Sequence, residues 1–290
     1  MERRASMRPP AIPGAEDEAW PATAPPAGAG RGVRFEHVDL TFGGAKRRRT
    51  VRALTDVSFA VGDREFCAIV GPSGCGKSTL LNLASGLRPA TAGTVYVDER
   101  PVRGLVRDIG YVTQDSNLLP WLTVEDNIRL PLQIRGMPAA DQESLVARWI
   151  GLVGLDGFRQ SYPRQLSGGM QKRCSIARTL VYDPPILLMD EPFGALDAMT
   201  KAHMQDTLLK LWEGRPKTVL FVTHDLSEAL ALADKVVVIT SRPGRVRTVV
   251  PVDIERPRDV FHTSEHPEFS RQHRALWDMF ADEVTLGAKK

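Results

Sequence analysis

The sequence reads Gly71-Pro72-Ser73-Gly74-Cys75-Gly76-Lys77-Ser78-Thr79 in its first third. This segment fits G-x-x-x-x-G-K-[ST], the pattern of a loop that binds the phosphates of a nucleoside triphosphate. The apolar run 66–70 predicts a buried strand before the loop. The residues that predict a helix after it are Leu80, Leu81, Leu83, Ala84 and Leu87. Strand, loop and helix in this order are the context that the pattern requires.

The residue types in this loop suit phosphate chemistry. Glycines let the backbone turn tightly and bring its N–H groups against phosphate oxygens, and the following helix points its positive end at the same charge. Lys77 is predicted to hold the β- and γ-phosphates, and the Ser78 hydroxyl to be a Mg²⁺ ligand. We expect the whole segment to bind nucleotide: Gly71, Pro72, Ser73, Gly74, Cys75, Gly76, Lys77, Ser78 and Thr79.

Length and charge limit the classes of protein to consider. The 290 residues predict about two domains, or one large domain with tails. A net charge of +3 is low for a nucleic-acid-binding face, and the basic residues are scattered apart from the run 46–49. That run is interpreted as a solvated loop or as a contact with phosphate or lipid headgroups. A nucleic-acid partner is therefore disfavoured.

The cysteines and the apolar runs bear on the compartment. Cys67, Cys75 and Cys174 make no metal-binding spacing and no disulfide framework, which is typical of a reducing compartment. Cys67 and Cys174 are predicted to be core residues of a strand and a helix. No stretch approaches about 18 consecutive apolar residues, and the N-terminus lacks a hydrophobic signal region. We expect a chain that neither spans a membrane nor is secreted.

Three regions are predicted along the chain. Residues 1–31 are rich in proline, alanine and glycine and are expected to be a disordered tail. Residues 32–250 are expected to form the main domain, with a helical subdomain at about 115–173. Residues 251–290 are expected to be an extension with a short helix whose apolar stripe is Phe269, Leu276, Trp277 and Phe280. This stripe either packs on the main domain or contacts a dimer or membrane partner.

Strands and helices alternate within the main domain. Residues 33–40 and 57–61 predict an antiparallel pair. The later strands are predicted at 94–97, 109–112, 186–189, 219–222 and 236–239. Because these runs alternate with helical patterns, we expect an α/β domain with a mostly parallel sheet covered on both faces.

Helical periodicity predicts the inner faces of three helices. The first begins at Pro138, with the stripe Leu145, Trp149, Leu152 and Val153. The second is capped by Ser167, with an inner face of Met170, Cys174, Ala177 and Val181. The third carries Met204, Leu208, Leu211 and Trp212 on one face.

Polar residues follow several strands at their carboxyl ends, where ligands bind in parallel sheets. Asp190 is predicted to direct a carboxylate at Mg²⁺, and Glu191 to accept the proton of an attacking water or to orient that water. Gln114 and His224 are predicted to reach the γ-phosphate and its water. Phe42, upstream of the phosphate loop, either stacks on the nucleotide base or packs in the core.

The segment Leu166-Ser167-Gly168-Gly169-Met170-Gln171 resembles the signature L-S-G-G-x-Q of the ABC ATPase family. Its hydroxyl, two glycines and helix start make a second anion-binding end. The family's other motifs stand in the same order, and the resemblance covers about residues 33–250. They are the phosphate loop, the glutamine loop at Gln114, the signature, the second phosphate motif 186–191, the D-loop 195–197 and the switch histidine His224.

The resemblance implies a fold, a reaction and a dimer. The fold is a P-loop NTPase core with a mostly parallel sheet, an antiparallel β subdomain and a helical insertion subdomain. The reaction is ATP hydrolysis, with ATP and Mg²⁺ as cofactors. In the family the signature of one subunit closes over the nucleotide held by the other, so a homodimer with two shared sites is expected.

The resemblance also implies a role for each site residue. Ser78, Gln114 and Asp190 would bind the metal. Glu191 would be the catalytic base, Gln114 would also act on the water, and His224 would sense the γ-phosphate. Ser167 and Gly169 would act in trans, in the nucleotide-binding segment that also contains Gly168 and Gln171.

Three further segments, 112–128, 193–200 and 241–245, are similar to the ATPase subunits of nitrate/sulfonate/taurine-type importers. This resemblance implies a peripheral subunit on the cytoplasmic face of the cell membrane, joined to integral-membrane permease subunits and served indirectly by a solute-binding protein. Leu118, Leu119 and Trp121 either grip the permease or pack in the core. The alternative is a soluble ABC-type ATPase acting on a non-transport partner. A second cassette or a long coiled-coil insertion would favour it, and neither is present in the sequence.

Overall fold

A computed structural model describes residues 32–43 and 50–287, with side chains described up to residue 279. The predicted tail 1–31 and the basic run 46–49 lie outside the described residues. The strands are β1 (Val33–Phe42), β2 (Val51–Val61), β3 (Phe66–Val70), β4 (Ala92–Val97), β5 (Arg100–Pro101), β6 (Ile109–Val112), β7 (Ile186–Asp190), β8 (Thr218–Val222), β9 (Lys235–Ile239) and β10 (Val246–Pro251). The helices are α1 (Lys77–Ala84), α2 (Val124–Ile134), α3 (Ala139–Leu152), α4 (Gly168–Leu180), α5 (Ala198–Gly214), α6 (Leu226–Leu232) and α7 (Pro267–Gly287).

The larger sheet has six strands in the order β10-β9-β3-β8-β7-β6. Neighbours from β9 to β6 run parallel, and β10 adds an antiparallel edge. All five residues of β3, of β7 and of β8 are buried. Strands buried on both faces are continuous apolar runs, because helices cover the two sides of a parallel sheet. The predicted mostly parallel sheet is confirmed.

The smaller sheet is antiparallel, with strands in the order β2-β1-β4-β5. In β1 the apolar positions Val33, Phe35, Val38 and Leu40 are all buried, although the spacing changes from two residues to three. The pairing with β2 shifts register between Phe35 and Val38, and His37 there has φ 48°. This bulge returns the apolar side chains to the same face. The second strand begins at Val51, six residues before the predicted start, because the pairing with β1 extends to Phe42.

The first helix is shorter than predicted. It ends at Ala84, and Leu87, which was assigned to it, is exposed. Gly86 has φ 75°, and a Cβ there would lie 1.8 Å from the carbonyl oxygen of Gly104. The chain therefore leaves the helix at a left-handed turn that the close approach of residue 104 reserves for glycine.

Helices α2, α3 and α4 pack together beside the larger sheet. The predicted stripe of α3 is confirmed in part: Val153 is buried, whereas Leu145, Trp149 and Leu152 are half-buried. The residues buried within the helix itself are Gln142, Val146 and Ile150. The Gln142 side chain donates to the carbonyl oxygen of Met137 at 2.7 Å. A polar residue with this local partner occupies the inner face, and apolar periodicity does not detect it.

Helix α4 is enclosed more fully than an amphipathic helix would be. Cys174, Ala177 and Val181 are buried as predicted, while Met170 is half-buried. The opposite side is covered too, and it contains Lys172, Ser175, Ile176, Thr179 and Leu180. In α5 the residues Met204, Leu208 and Trp212 are buried as predicted, and Leu211 is half-buried.

The C-terminal extension packs on the main core. Phe269 and Leu276 of α7 are buried in that core, but Trp277 is exposed, and the side chain of Phe280 lies outside the described residues. Arg258 donates to the carbonyl oxygens of Leu230 and Ala233, which end α6. Of the helices described, none combines the length and the hydropathy needed to cross a bilayer.

Candidate nucleotide site

The predicted site residues follow four neighbouring strands of the larger sheet. The phosphate loop follows β3, His224 follows β8, Asp190 and Glu191 end β7, and Gln114 follows β6. Parallel strands lie about 4.8 Å apart, so the edge from the phosphate loop to the glutamine loop spans about 14 Å. The sheet topology therefore places these segments on one edge.

The phosphate loop is shaped by glycines at two close approaches. A Cβ on Gly71 would lie 2.7 Å from the carbonyl oxygen of Ile239 in β9. A Cβ on Gly76 would lie 2.7 Å from the Leu54 side chain, and Gly76 also has φ 107°. Helix α1 begins at the next residue, so its first N–H groups face the concave side of the loop.

Lys77 is held by its own loop. Its ammonium donates to the carbonyl oxygens of Gly71 at 2.8 Å and Pro72 at 3.0 Å, and the side chain is buried. An ammonium has three N–H donors, and two of them are used by these carbonyl oxygens of the described residues. The third can donate to a ligand. These two hydrogen bonds therefore hold the positive charge of Lys77 at the loop in the absence of a phosphate.

Asp190 has the environment expected of a cation ligand. It is buried, and its Oδ1 atom has no hydrogen-bond partner among the described residues. Burial raises the pKa of Asp190, and the adjacent Ser78 hydroxyl acts in the opposite direction. A carboxylate and a hydroxyl are oxygen donors of the kind that Mg²⁺ binds, and Mg²⁺ needs few protein ligands because water and phosphate oxygens supply the rest.

The donor set agrees with that kind of ion. Within the described residues, no group of three or more His, Cys, Asp or Glu side chains is arranged to hold a metal ion. A typical zinc site takes three or four such side chains. The Ser78 hydroxyl and the Asp190 carboxylate are oxygen donors that fit a Mg²⁺ ion arriving with a nucleotide.

Glu191 and His224 lie side by side at the same edge. Glu191 Oε1 is 3.4 Å from His224 Nδ1. The Glu191 backbone has φ 44°, and its N–H donates to the carbonyl oxygen of Val222 at 2.9 Å. Non-glycine residues in the left-handed region are concentrated at functional sites, where the surrounding structure holds them. The carboxylate that follows β7 and the imidazole that follows β8 therefore meet at one position.

Gln114 has an exposed side chain, and its backbone is bound by a residue that sequence reasoning missed. Lys172 of α4 donates to the carbonyl oxygens of Thr113 at 2.7 Å and Gln114 at 2.8 Å. Burial lowers the pKa of Lys172 to about 8, although Asp190, Asp115 and Glu191 favour its charged form. A lysine inside an apolar helical pattern was the signal in the sequence.

The signature segment exposes Ser167 and Gly168, whereas Leu166 is buried and residues 169–171 are half-buried. Ser167 caps α4 by accepting from the Met170 N–H at 3.3 Å, and a Cβ on Gly168 would meet nothing within 4 Å. The Gln171 side chain donates to the carbonyl oxygens of Pro163 and Leu166, so its amide stabilises the turn before the helix. Among the described residues, no hydrogen bond joins the signature to the phosphate loop.

Two aromatic positions were left open by the sequence. Phe42 ends β1, is half-buried, and has the Arg88 guanidinium 4.7 Å from its ring centroid. Stacking of Phe42 on a base stays a prediction. Trp121 is 69% exposed, whereas Leu118 and Leu119 are half-buried and Leu118 packs against the core. Of the three, Trp121 is the residue most available to another protein.

The segment 241–245 lies against the phosphate loop, a contact that sequence reasoning missed. The Arg242 guanidinium donates to the carbonyl oxygen of Gly74 through Nε at 3.2 Å and Nη2 at 2.9 Å. A Cβ on Gly244 would lie 2.2 Å from the carbonyl oxygen of Cys75. In the sequence, the segment 241–245 was noted only for its similarity to the ATPase subunits of importers. The structure gives it a physical role as the outer support of the loop.

Comparison with known proteins gives one family and many relatives. The family model described as ABC transporter matches residues 54–194. An uncharacterized ABC transporter ATP-binding protein of Methanocaldococcus jannaschii is 46% identical over 239 residues, which cover 82% of this chain and 88% of that protein. The aliphatic sulfonates import ATP-binding protein SsuB of Bacillus cereus is 42% identical over 214 residues, covering 74% of this chain and 84% of that protein.

A solved structure has the same fold. It is a dimeric post-hydrolysis state of an ATP-binding cassette bound to ADP and Pi, with a TM-score of 0.70 and 33% sequence identity. The match covers 77% of this chain and 100% of that one. The predicted α/β class with a P-loop core is therefore confirmed.

Proposed function

Because this chain belongs to the ABC transporter family of ATP-binding proteins, we propose that it is the ATP-hydrolysing subunit of an importer for a small solute. One observation carries the hydrolytic part. On one sheet edge, the buried Lys77 charge, the unpartnered Asp190 oxygen and the adjacent Glu191 and His224 form a set for binding and cleaving a triphosphate. A protein that only binds nucleotide would not need a carboxylate beside the imidazole.

The side chains in this set divide the chemistry among them. The loop N–H groups and Lys77 bind the phosphates, and Ser78, Asp190 and Gln114 would hold Mg²⁺. The ion, when bound, neutralises charge on the β- and γ-phosphate oxygens. Glu191 accepts a proton from the attacking water, and His224 fixes the position of the Glu191 carboxylate and contacts the γ-phosphate.

A second copy of the chain completes each site. The signature presents an exposed hydroxyl and an open Gly168 at the start of α4, and it makes no hydrogen bond to the phosphate loop of its own chain within the described residues. Such a helix start suits an anion. We assign its ligand to the nucleotide held by a partner copy, with Ser167, Gly168 and Gly169 facing the γ-phosphate. Gln171 supports this segment from behind.

The import role rests on the relatives. Several are aliphatic sulfonates import ATP-binding proteins, so a small sulfonate or a related anion is the proposed solute class. The chain would bind permease subunits on the cytoplasmic face of the membrane, and the permease would receive its solute from a binding protein. The exposed Trp121, beside the glutamine loop, is the proposed permease contact.

The experiment is co-purification followed by uptake. The tagged chain is purified from detergent-solubilised membranes of its own organism, and the recovered complex is placed in vesicles that contain ATP inside. Uptake of a labelled alkanesulfonate is then compared with uptake by the same complex carrying Glu191→Gln. ATP-dependent uptake that the substitution abolishes supports the proposal. Recovery of a soluble partner that stimulates hydrolysis, with no membrane protein, would support the non-transport alternative instead.

A further inference from the structure

Two cations of α4 hold the loop that contains Gln114. Lys172 donates to the carbonyl oxygens of Thr113 and Gln114. Arg178 donates to the carbonyl oxygens of Ser116 at 3.1 Å and Asn117 at 2.9 Å. The loop 113–117 is therefore bound to a single helix near both of its ends.

The contact between Lys172 and the loop is buried, unlike most lysine contacts, which lie at the protein surface. Its side chain is 1% exposed, and it forms no salt bridge with a carboxylate of the described residues. Burying an ammonium is unfavourable unless hydrogen bonds replace its water, and the two carbonyl oxygens provide that replacement here. A methionine would fill similar space without this desolvation. Binding of the loop therefore accounts for the presence of a charged lysine at this buried position.

The loop itself is internally braced. The Thr113 hydroxyl donates to the carbonyl oxygen of Asp115 at 2.8 Å and accepts from the Asn117 amide at 2.9 Å. These bonds close residues 113–117 into one small unit. A displacement of Gln114 is consequently passed to the carbonyl oxygens that α4 holds.

Helix α4 also carries the signature. Ser167 is its N-cap, and Lys172 lies five residues later, about 7.5 Å along the axis. A helix is rigid over this length. The glutamine loop and the signature are therefore attached to the same helix. In the proposed function, the first faces the nucleotide of its own subunit and the second faces the partner's nucleotide.

We propose that Lys172 is a positioning residue that makes the glutamine loop and the signature move as one body, with Arg178 in a supporting role. The proposal rests on the shared nucleotide site of the proposed function. In a dimer, a shift of Gln114 at one nucleotide then moves the signature that serves the other. Lys172 would thereby couple the two hydrolytic sites.

The chain offers a matched control on the same helix. Arg173 also donates to two carbonyl oxygens, those of Val153 and Gly154, but these follow α3 and lie outside the glutamine loop. Arg173→Met removes a cation and its two carbonyl contacts while leaving the loop attached. A general loss of packing in α4 would affect both variants, whereas a positioning role is specific to Lys172.

The first test measures geometry without hydrolysis. Spin labels are attached at Asp115→Cys and Gly168→Cys, both exposed, while the native cysteines Cys67, Cys75 and Cys174 are buried. Pulsed electron resonance without nucleotide gives the distribution of distances between the labels. We expect Lys172→Met to broaden it and Arg173→Met to leave it narrow. Equal distributions in the two variants would overturn the proposal, whether or not the chain proves to be an importer.

The second test measures turnover. Lys172→Met is expected to lower kcat by about tenfold to a hundredfold through misplacement of Gln114, with nucleotide affinity of the monomer unchanged and cooperativity in ATP lost. Lys172→Arg should recover part of kcat, and Arg173→Met should stay within about twofold of the wild type. If Lys172→Met does not fold, Arg178→Met is measured in its place. Full turnover with retained cooperativity in these loop variants would contradict the coupling.

Discussion

At the scale of single residues, the proposed function makes Glu191 the acceptor of a proton from the attacking water. Its carboxylate lies beside His224 and its backbone is held in the left-handed region by the Val222 carbonyl oxygen. Proton acceptance by a positioned carboxylate contributes about 10² to 10⁴ in rate. The neighbouring Asp190 is more buried and has the unpartnered oxygen, so the two adjacent acids have different environments, which agrees with the different roles proposed for them.

Glu191→Gln is therefore expected to reduce turnover by about 10² to 10⁴. An amide keeps the shape of the side chain but accepts no proton, so ATP affinity should stay near that of the wild type. Phosphate release and nucleotide binding are measured on the same preparation. Glu99→Gln, an exposed change on the smaller sheet, is the control. Near-normal turnover of Glu191→Gln would remove this residue from the base role.

Arg242 illustrates support that comes from outside the nucleotide site. Its guanidinium binds the Gly74 carbonyl oxygen through two donors and so fixes the outer edge of the phosphate loop. We predict that Arg242→Ala weakens ATP binding about fivefold, equivalent to about 1 kcal/mol for one such contact, with little change in kcat. Arg242→Lys should recover only part of the ATP affinity. A lysine can donate to the Gly74 carbonyl oxygen, but its ammonium lacks the planar pair of donors with which the guanidinium binds that oxygen.

The measurement for Arg242 is a nucleotide titration at fixed Mg²⁺. Arg245→Ala is the matched control, because Arg245 is an exposed basic residue of the same segment. An equal loss in both variants would point to the general positive potential near the phosphates. A selective loss in Arg242→Ala supports the loop contact.

At the scale of elements, an ion pair joins α5 to α6 beside the switch histidine. Lys201 in α5 lies 2.7 Å from an Asp225 oxygen and 2.6 Å from a Glu228 oxygen. Glu228 is 5% exposed and also accepts from Thr223 and Gln205. Asp225 caps α6 directly after His224. This contact therefore supports the element that positions the imidazole.

Lys201→Met should lower the free energy of unfolding by about 2 kcal/mol, since it leaves a buried carboxylate with fewer partners. Lys210→Met on the same helix is the control. Lys210 is 51% exposed and pairs with Asp206 four residues earlier, so its removal should cost no more than about 0.5 kcal/mol. Urea unfolding measures both. Similar losses in the two variants would contradict the structural role of Lys201.

Elements differ in how far the sequence predicts them. The apolar runs that form β3, β7 and β8 were sufficient to predict these strands, because strands buried on both faces consist of apolar residues. The sequence predicted less reliably which face of each helix is buried. Gln142 and Lys172 are buried because carbonyl oxygens outside their own helices accept their hydrogen bonds, that of the nearby Met137 for Gln142 and that of the distant Thr113 for Lys172. The spacing of apolar residues along one helix contains no information about such partners.

Turns and contacts between segments explain the remaining differences. Leu87 is exposed because Gly86 turns the chain where residue 104 approaches, a contact between parts of the chain that no local pattern reveals. The contact of Arg242 with Gly74 likewise joins residues 168 positions apart. The phosphate loop and the strand-end residues were predictable because their order in the chain and the parallel topology fix their common edge.

At the scale of the whole molecule, the proposed function requires a second chain to complete each nucleotide site. The resemblance implies a role in trans for the signature, and its exposed position in the single chain agrees with that role. A related ATP-binding cassette is dimeric in its post-hydrolysis state. The nucleotide would then contribute to the interface, and the order of events would be association on ATP binding and separation after hydrolysis.

The most direct measurement of this claim is the mass of the particle with ATP bound. The Glu191→Gln chain, which retains ATP, is mixed with ATP and Mg²⁺, and its mass is determined by light scattering. We predict twice the chain mass of 32.0 kDa. The Glu191→Gln, Ser167→Arg double variant should stay at one chain mass while still binding ATP, because the added side chain fills the signature. A double variant that dimerises equally well, or a Glu191→Gln chain that stays monomeric with ATP bound, would contradict a site shared between two copies.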